Sequence, residues 1–229
     1  MNFSEFERIL SQKRMSRYVD SCGGNTRKAM TLYRYNLQIS QEMFTIISCF
    51  EVTIRNFIDR ELTRVFGEEW LKDSISSDGF LAGQDTIKTF EIVKRAYEKL
   101  VDENLYSHTK LLSGLDFGVW KYMFSPPQYR ATGQVLLKVF PYKERSTPSC
   151  HINQSYIFNE LDKINTLRNR IAHHEPICFL TNHAVIHTDY IKTEYRKIQT
   201  LFAWMGVDSK SMLYGLDHVL KVCDKIDSL

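Results

Sequence analysis

Along most of this chain apolar residues recur every three or four positions, and nowhere does strict apolar–polar alternation run long enough for a sheet. After Asn25, the residues Ile39, Met43, Ile46, Ile47, Phe50, Ile54, Phe57, Ile58 and Leu62 keep that spacing. They predict one long amphipathic helix, preceded by a break near Asn36. Ahead of it, Ser4 and Glu7 have capping-box spacing for a first helix that runs to Cys22 and ends at Gly23-Gly24. Gly67 and the stretch DSISSDG mark a loop, a helix covers about Asp85 to Leu100, and a packed segment from Leu111 to Phe124 ends at SPPQ. A turn-rich loop, PYKERSTPSCHINQS, leads into a helix from near Asn153 to near Glu175, because Pro176 disfavours helical backbone in the residue before it. A further helix spans about Asn182 to Met205, and a short one follows Val207. The pattern predicts a single all-α domain over residues 1–229.

Two of these helices carry charge on the face that should be buried. At about 100° per residue, Arg168 shares an arc with Ile157, Leu161, Ile164 and Ile171. On the long helix Glu51 lies within the arc of Ile47, Phe50, Ile54 and Ile58, with Arg55 at its edge. An unpaired buried charge is expensive, so these groups must be paired or must line a wet cleft. Glu51 and Arg55 stand four residues apart with the acid first, a favourable order. A buried Arg168–Glu51 ion pair between helices would satisfy both as structural residues. A polar cleft containing arginine, asparagine, histidine and glutamate would satisfy them as a site. Helix geometry alone leaves both accounts open.

Composition changes this picture little. The chain has 229 residues, 43% of them hydrophobic and 25% charged, which is ordinary for a globular protein. A formal charge of +3 permits a phosphate-bearing partner without arguing for one. No apolar run approaches the ~20 residues of a membrane span, and the charged N-terminus lacks the apolar core of an export signal. Five scattered cysteines suit reduced thiols and a cytoplasmic location. His183 and His187 stand four apart, a spacing metals use, but no third ligand accompanies them and a helix-surface role is as good a reading.

The strongest signal is a string. Arg168-Asn169-Arg170-Ile171-Ala172-His173 has the R-N-x-x-x-H form that marks HEPN ribonucleases, and LRNRIAHHEPI around it resembles the Abi-D/F group of abortive-infection proteins. ILSQKRMSRYVDSCGG, LYRYNLQISQEMF, FEVTIRNFIDREL, GEEWL, LDFGVWKYMF and IQTLFAWMGVDSKSM are similar to successive blocks of that family, in order, over nearly the whole chain. Tyr35 departs from it, since tryptophan is common there.

The resemblance implies a HEPN-type helical bundle with additional helices that cleaves RNA without a metal or other cofactor, as a toxin or an antiphage defence. It implies a homodimer in which two motifs face each other, and in some relatives a small structured non-coding RNA as partner. In metal-free cleavage the ribose 2′-OH attacks the phosphate, leaving a 2′,3′-cyclic phosphate and a 5′-OH. Histidine, titrating near neutral pH, suits the proton transfers. Guanidinium, planar and permanently charged, suits the phosphate oxygens. His173 and Arg168 take these roles by resemblance, with Asn169 holding substrate or orienting the histidine. Glu51 and Arg55 are supporting candidates, as are His174 and Glu175, although Glu175 equally suits a helix end. Positions five apart on a straight helix diverge by about 140°, so His173 can turn toward Arg168 only if the helix ends near Ala172. A HEPN-like module that binds RNA or protein without cutting is the alternative, and a helical protein whose inward charges only fix packing is a third.

Overall fold

In a computed structural model the chain is described over residues 1–148, 150–180 and 183–229, and it is all-α. Twelve α-helices are present among those residues, together with two short 3-10 helices and two isolated β-bridges. The helices gather into two compact units whose segments interleave along the chain. The first comprises Met1–Ser48, Thr166–Thr200 and Asp208–Leu229, and the second Cys49–Asn165 and Leu201–Val207. No helix among the described residues is long and apolar enough to cross a membrane.

The first unit opens with α1 (Phe3–Leu10) and α2 (Gln12–Ser21), where the sequence pattern suggests one helix. The capping box is made by Asn2 and Glu5 rather than by Ser4 and Glu7. The break falls at Ser11, whose backbone leaves the helical region at φ 76°, ψ 146° while its hydroxyl accepts the Arg14 amide. A serine with its side chain spent as a cap ends one helix and starts the next. Gly23 and Gly24 close α2 as expected, both at positive φ, with the Gly24 amide bonded to the Val19 carbonyl.

The long helix α3 (Thr26–Phe66) then runs without interruption through 41 residues. The expected break at Asn36 is absent. Asn36 lies on the buried arc with Leu32, Ile39 and Met43 and is only 2% exposed. Its side-chain oxygen accepts the amides of Ile177 at 2.8 Å and Cys178 at 3.3 Å. An asparagine so occupied does not compete for its own helix backbone, which is how asparagine usually breaks helices.

In the second unit, the remainder of α3 buries Phe50, Ile54, Ile58 and Leu62. Phe50 packs edge-on against Phe117 and Phe202, with ring centroids 6.3 and 5.3 Å away. After Gly67 come α4 (Trp70–Asp73) and α5 (Ile87–Asp102), the latter close to its expected span. The packed segment before SPPQ divides into α6 (His108–Ser113) and α7 (Phe117–Tyr122). SPPQ itself opens another helix, α8 (Pro126–Ala131), because Pro126 at the first helical position forfeits only an amide that would have no helical partner.

Helix α9 (Gln154–Ala172) begins where Asn153 caps it, its side chain accepting the Tyr156 amide at 3.0 Å. The expected start of the next helix, Asn182, lies outside the described residues. Helix α10 (Asp189–Trp204) begins later, and α11 (Ser209–Met212) and α12 (Val219–Asp227) follow in place of one terminal helix. Asp227 ties α12 to α10 by accepting from Thr188 at 2.7 Å and pairing with Lys192 at 2.6 Å.

Candidate active site

The R-N-x-x-x-H string occupies the last turn of α9 and the residue beyond it. Helix α9 buries Leu167 completely and Ile171 nearly so, which leaves Arg168 half-buried at the side of the apolar face. One arginine nitrogen, Nε, is inside the protein and has no hydrogen-bond partner among the described residues. A terminal nitrogen of the same group donates weakly to the side-chain oxygen of Asn169, 3.4 Å away. A half-buried guanidinium with an unsatisfied donor has been stripped of part of its water, which strengthens its attraction for any anion that reaches it.

The helix ends at Ala172, short of the Glu175 that Pro176 alone would suggest. His173 is the first residue outside it, and its amide still bonds the Asn169 carbonyl at 2.9 Å. The stop is a Schellman turn, with the His174 amide on the Ile171 carbonyl and the Glu175 amide on the Arg170 carbonyl, both 2.9 Å. Its pivot is His174, at φ 57°. Glycine usually fills this left-handed position, and a side chain there costs about 1 kcal/mol. The turn therefore supplements Pro176 as the reason the helix stops. It leaves the side chains of Asn169, His173, His174 and Glu175 exposed.

Several neighbours hold this turn. Arg170 pairs with Glu175 at 3.2 Å and donates to the Pro176 carbonyl at 3.1 Å, so Glu175 serves the helix end. Arg14 of α2 donates to the carbonyl of His174. Arg17, one turn on, donates to the carbonyls of Leu180 at 2.8 Å and His183 at 2.6 Å and stacks over Phe179 at 4.5 Å. Asn36 fixes the two amides that follow Pro176.

Arg14, Arg17 and Asn36 are absent from the sequence-derived site. Asn36 left a signal, a polar residue at buried-arc spacing. The two arginines left none, because their acceptors lie some 160 residues away and are backbone atoms that carry no residue identity.

The other candidates fall elsewhere. Glu51 and Arg55 are half-buried one turn apart on α3, in the second unit, where Arg55 donates to Asn56 at 3.3 Å. His183 and His187 are not on a helix. The His183 amide donates to the Leu180 carbonyl and the His187 amide to the Cys178 carbonyl, so their spacing of four does not bring them onto one helical face. His187 instead sits 3.4 Å from Asp189. No group of three or more His, Cys, Asp or Glu side chains that could hold a metal ion is found among the described residues.

Comparison with protein-family models, curated proteins and solved structures finds no match to the chain. The site therefore rests on its own residues and geometry.

Proposed function

We propose that this protein is a metal-independent endoribonuclease of the HEPN type, acting in the cytoplasm as an abortive-infection or toxin component. The observation that carries the reading is the joint placement of three side chains at one helix end. Arg168 is half-buried with an unsatisfied donor, Asn169 is beside it, and His173 is exposed just past the last turn. Arg168 would bind the scissile phosphate and offset the charge that builds on its oxygens during attack. His173 would move the protons, accepting from the 2′-OH or donating to the departing 5′ oxygen. Asn169 would hold a phosphate or ribose oxygen.

The 2′-OH is the nucleophile, so the reaction needs no activated water. Cleavage of total RNA by the purified protein is thus expected to persist in EDTA, to leave 2′,3′-cyclic phosphate ends, and to fall steeply with His173→Ala. Loss of cleavage on chelation, restored by a divalent ion, would rule out the metal-free route. Binding without cleavage would instead identify a HEPN-like binding module.

One chain supplies one His173, while the reaction asks for both an acid and a base. A twofold dimer brings a residue near its own copy when that residue lies close to the axis, so the working form in this reading is a homodimer with both motifs at one cleft. Adding excess His173→Ala chains to wild type, with subunit exchange demonstrated, should lower activity faster than the wild-type fraction falls. A strictly proportional fall would show that each chain cuts alone.

A further inference from the structure

A cleft with cationic walls adjoins the α9 turn within the first unit. Its volume is about 430 Å³, and it is lined by Lys13, Arg14, Arg17 and Tyr18 of α2 together with Pro176. No ion pair to any of these three cations is found among the described residues. Arg14 and Arg17 give some of their N–H groups to backbone carbonyls, which fixes the guanidinium groups in place without neutralising them.

Helix polarity sharpens the point. Lys13 and Arg14 occupy the first turn of α2, which contains no acidic residue. Cations there oppose the positive end of the helix dipole, and carboxylates are the residues that stabilise it. Helix α1, by contrast, has Glu5 at the equivalent turn. Two cations at a helix N-terminus therefore leave a strongly electropositive wall for an anion to meet.

A buried group points the same way. Tyr18 is 1% exposed, lines the cleft, and its hydroxyl has no hydrogen-bond partner among the described residues. A buried hydroxyl without a partner is costly unless something else satisfies it.

The geometry points to a phosphate-binding subsite. We infer that the α2 cleft takes a backbone phosphate of the bound RNA strand, away from the bond that is cut, through Lys13, Arg17 and the Tyr18 hydroxyl. The inference rests on the ribonuclease reading for the identity of the ligand. Its place in the path follows from Arg14, which lines the cleft and also holds the carbonyl of His174, the residue after His173. The strand would leave the scissile position past Pro176 and enter the cleft, so that binding extends beyond the reacting phosphate.

The test is fluorescence anisotropy of a labelled single-stranded RNA with full-length His173→Ala protein over a range of salt concentrations, beside a cleavage assay of the wild type. Lys13 is exposed and makes no side-chain hydrogen bond or ion pair among the described residues, so its replacement leaves the fold intact. Lys13→Ala is expected to weaken binding roughly fivefold and to lower the salt slope by about 0.7, the share of one single-strand phosphate contact. Lys13→Glu should weaken it further, and Lys13→Arg should restore both affinity and slope. Tyr18→Phe should reduce affinity at unchanged slope, since a hydroxyl carries no charge. RNA bound with the same affinity and slope by the Lys13→Ala and Lys13→Glu proteins overturns the subsite. An unaltered Tyr18→Phe affinity removes the hydroxyl from it. Cleavage with Lys13-independent binding would leave the ribonuclease reading standing without the subsite. Lys13-dependent binding without any cleavage would do the reverse, and absence of both binding and cleavage overturns both.

Discussion

Replacing His173 by alanine is expected to lower RNA cleavage by roughly two to four orders of magnitude, the usual contribution of a positioned general acid or base. The side chain is exposed and lies outside α9, so its removal leaves the helix ladder and the buried face untouched. An unchanged unfolding midpoint should therefore accompany the lost activity. Arg168→Ala is expected to be as damaging, because it removes the half-buried guanidinium proposed to bind the phosphate. Arg168→Lys is the sharper variant. It keeps the charge but replaces a planar fork by a point charge on a flexible stem, which cannot reproduce two parallel bonds to phosphate oxygens. Cleavage close to the wild-type rate by either His173→Ala or Arg168→Lys, measured on the same RNA, would show that the reaction takes place elsewhere.

The second large effect is on folding. Asn36→Ala should reduce stability by about 2–6 kcal/mol, because it leaves the buried amides of Ile177 and Cys178 without their acceptor, at about 1–3 kcal/mol each. Asn36→Leu separates the causes. It fills the space that alanine would vacate but still offers no acceptor, so it should destabilise nearly as much. Urea unfolding of the two variants checks this. A loss below 1 kcal/mol in both would mean that another group or water takes over the two amides. If the turn at the end of α9 is the site, cleavage should fall along with stability, since these amides begin the segment that follows it.

How far the sequence alone reached depends on the length scale of each interaction. Helix existence was legible because it rests on local apolar periodicity, and the arc from Ile39 to Leu62 is buried on one unbroken helix as its spacing requires, except that Phe57 is only half-buried. The end of α9 was legible approximately: Pro176 placed it near Glu175, and the left-handed turn at His174 stops it at Ala172. Local chemistry was misjudged where two residues competed for one role. Ser11 rather than a continuous ladder governs the junction of α1 and α2, and Pro126 starts a helix although a proline more often suggests an end.

What only the tertiary structure decided is the surroundings of the motif. Sequence order determined that arginine, asparagine and histidine occur at the end of an amphipathic helix, because five residues of spacing and one helical period suffice for that. It did not determine that Asn36 is a buried acceptor for amides 141 and 142 positions away, or that Arg14 and Arg17 anchor the chain after the helix. Those bonds end on backbone N–H and C=O groups, which every residue carries alike, so no pattern of side chains announces them. They exist because the folded chain brings α2, α3 and the end of α9 together in one unit, and there each buried polar group takes whichever partner lies within reach.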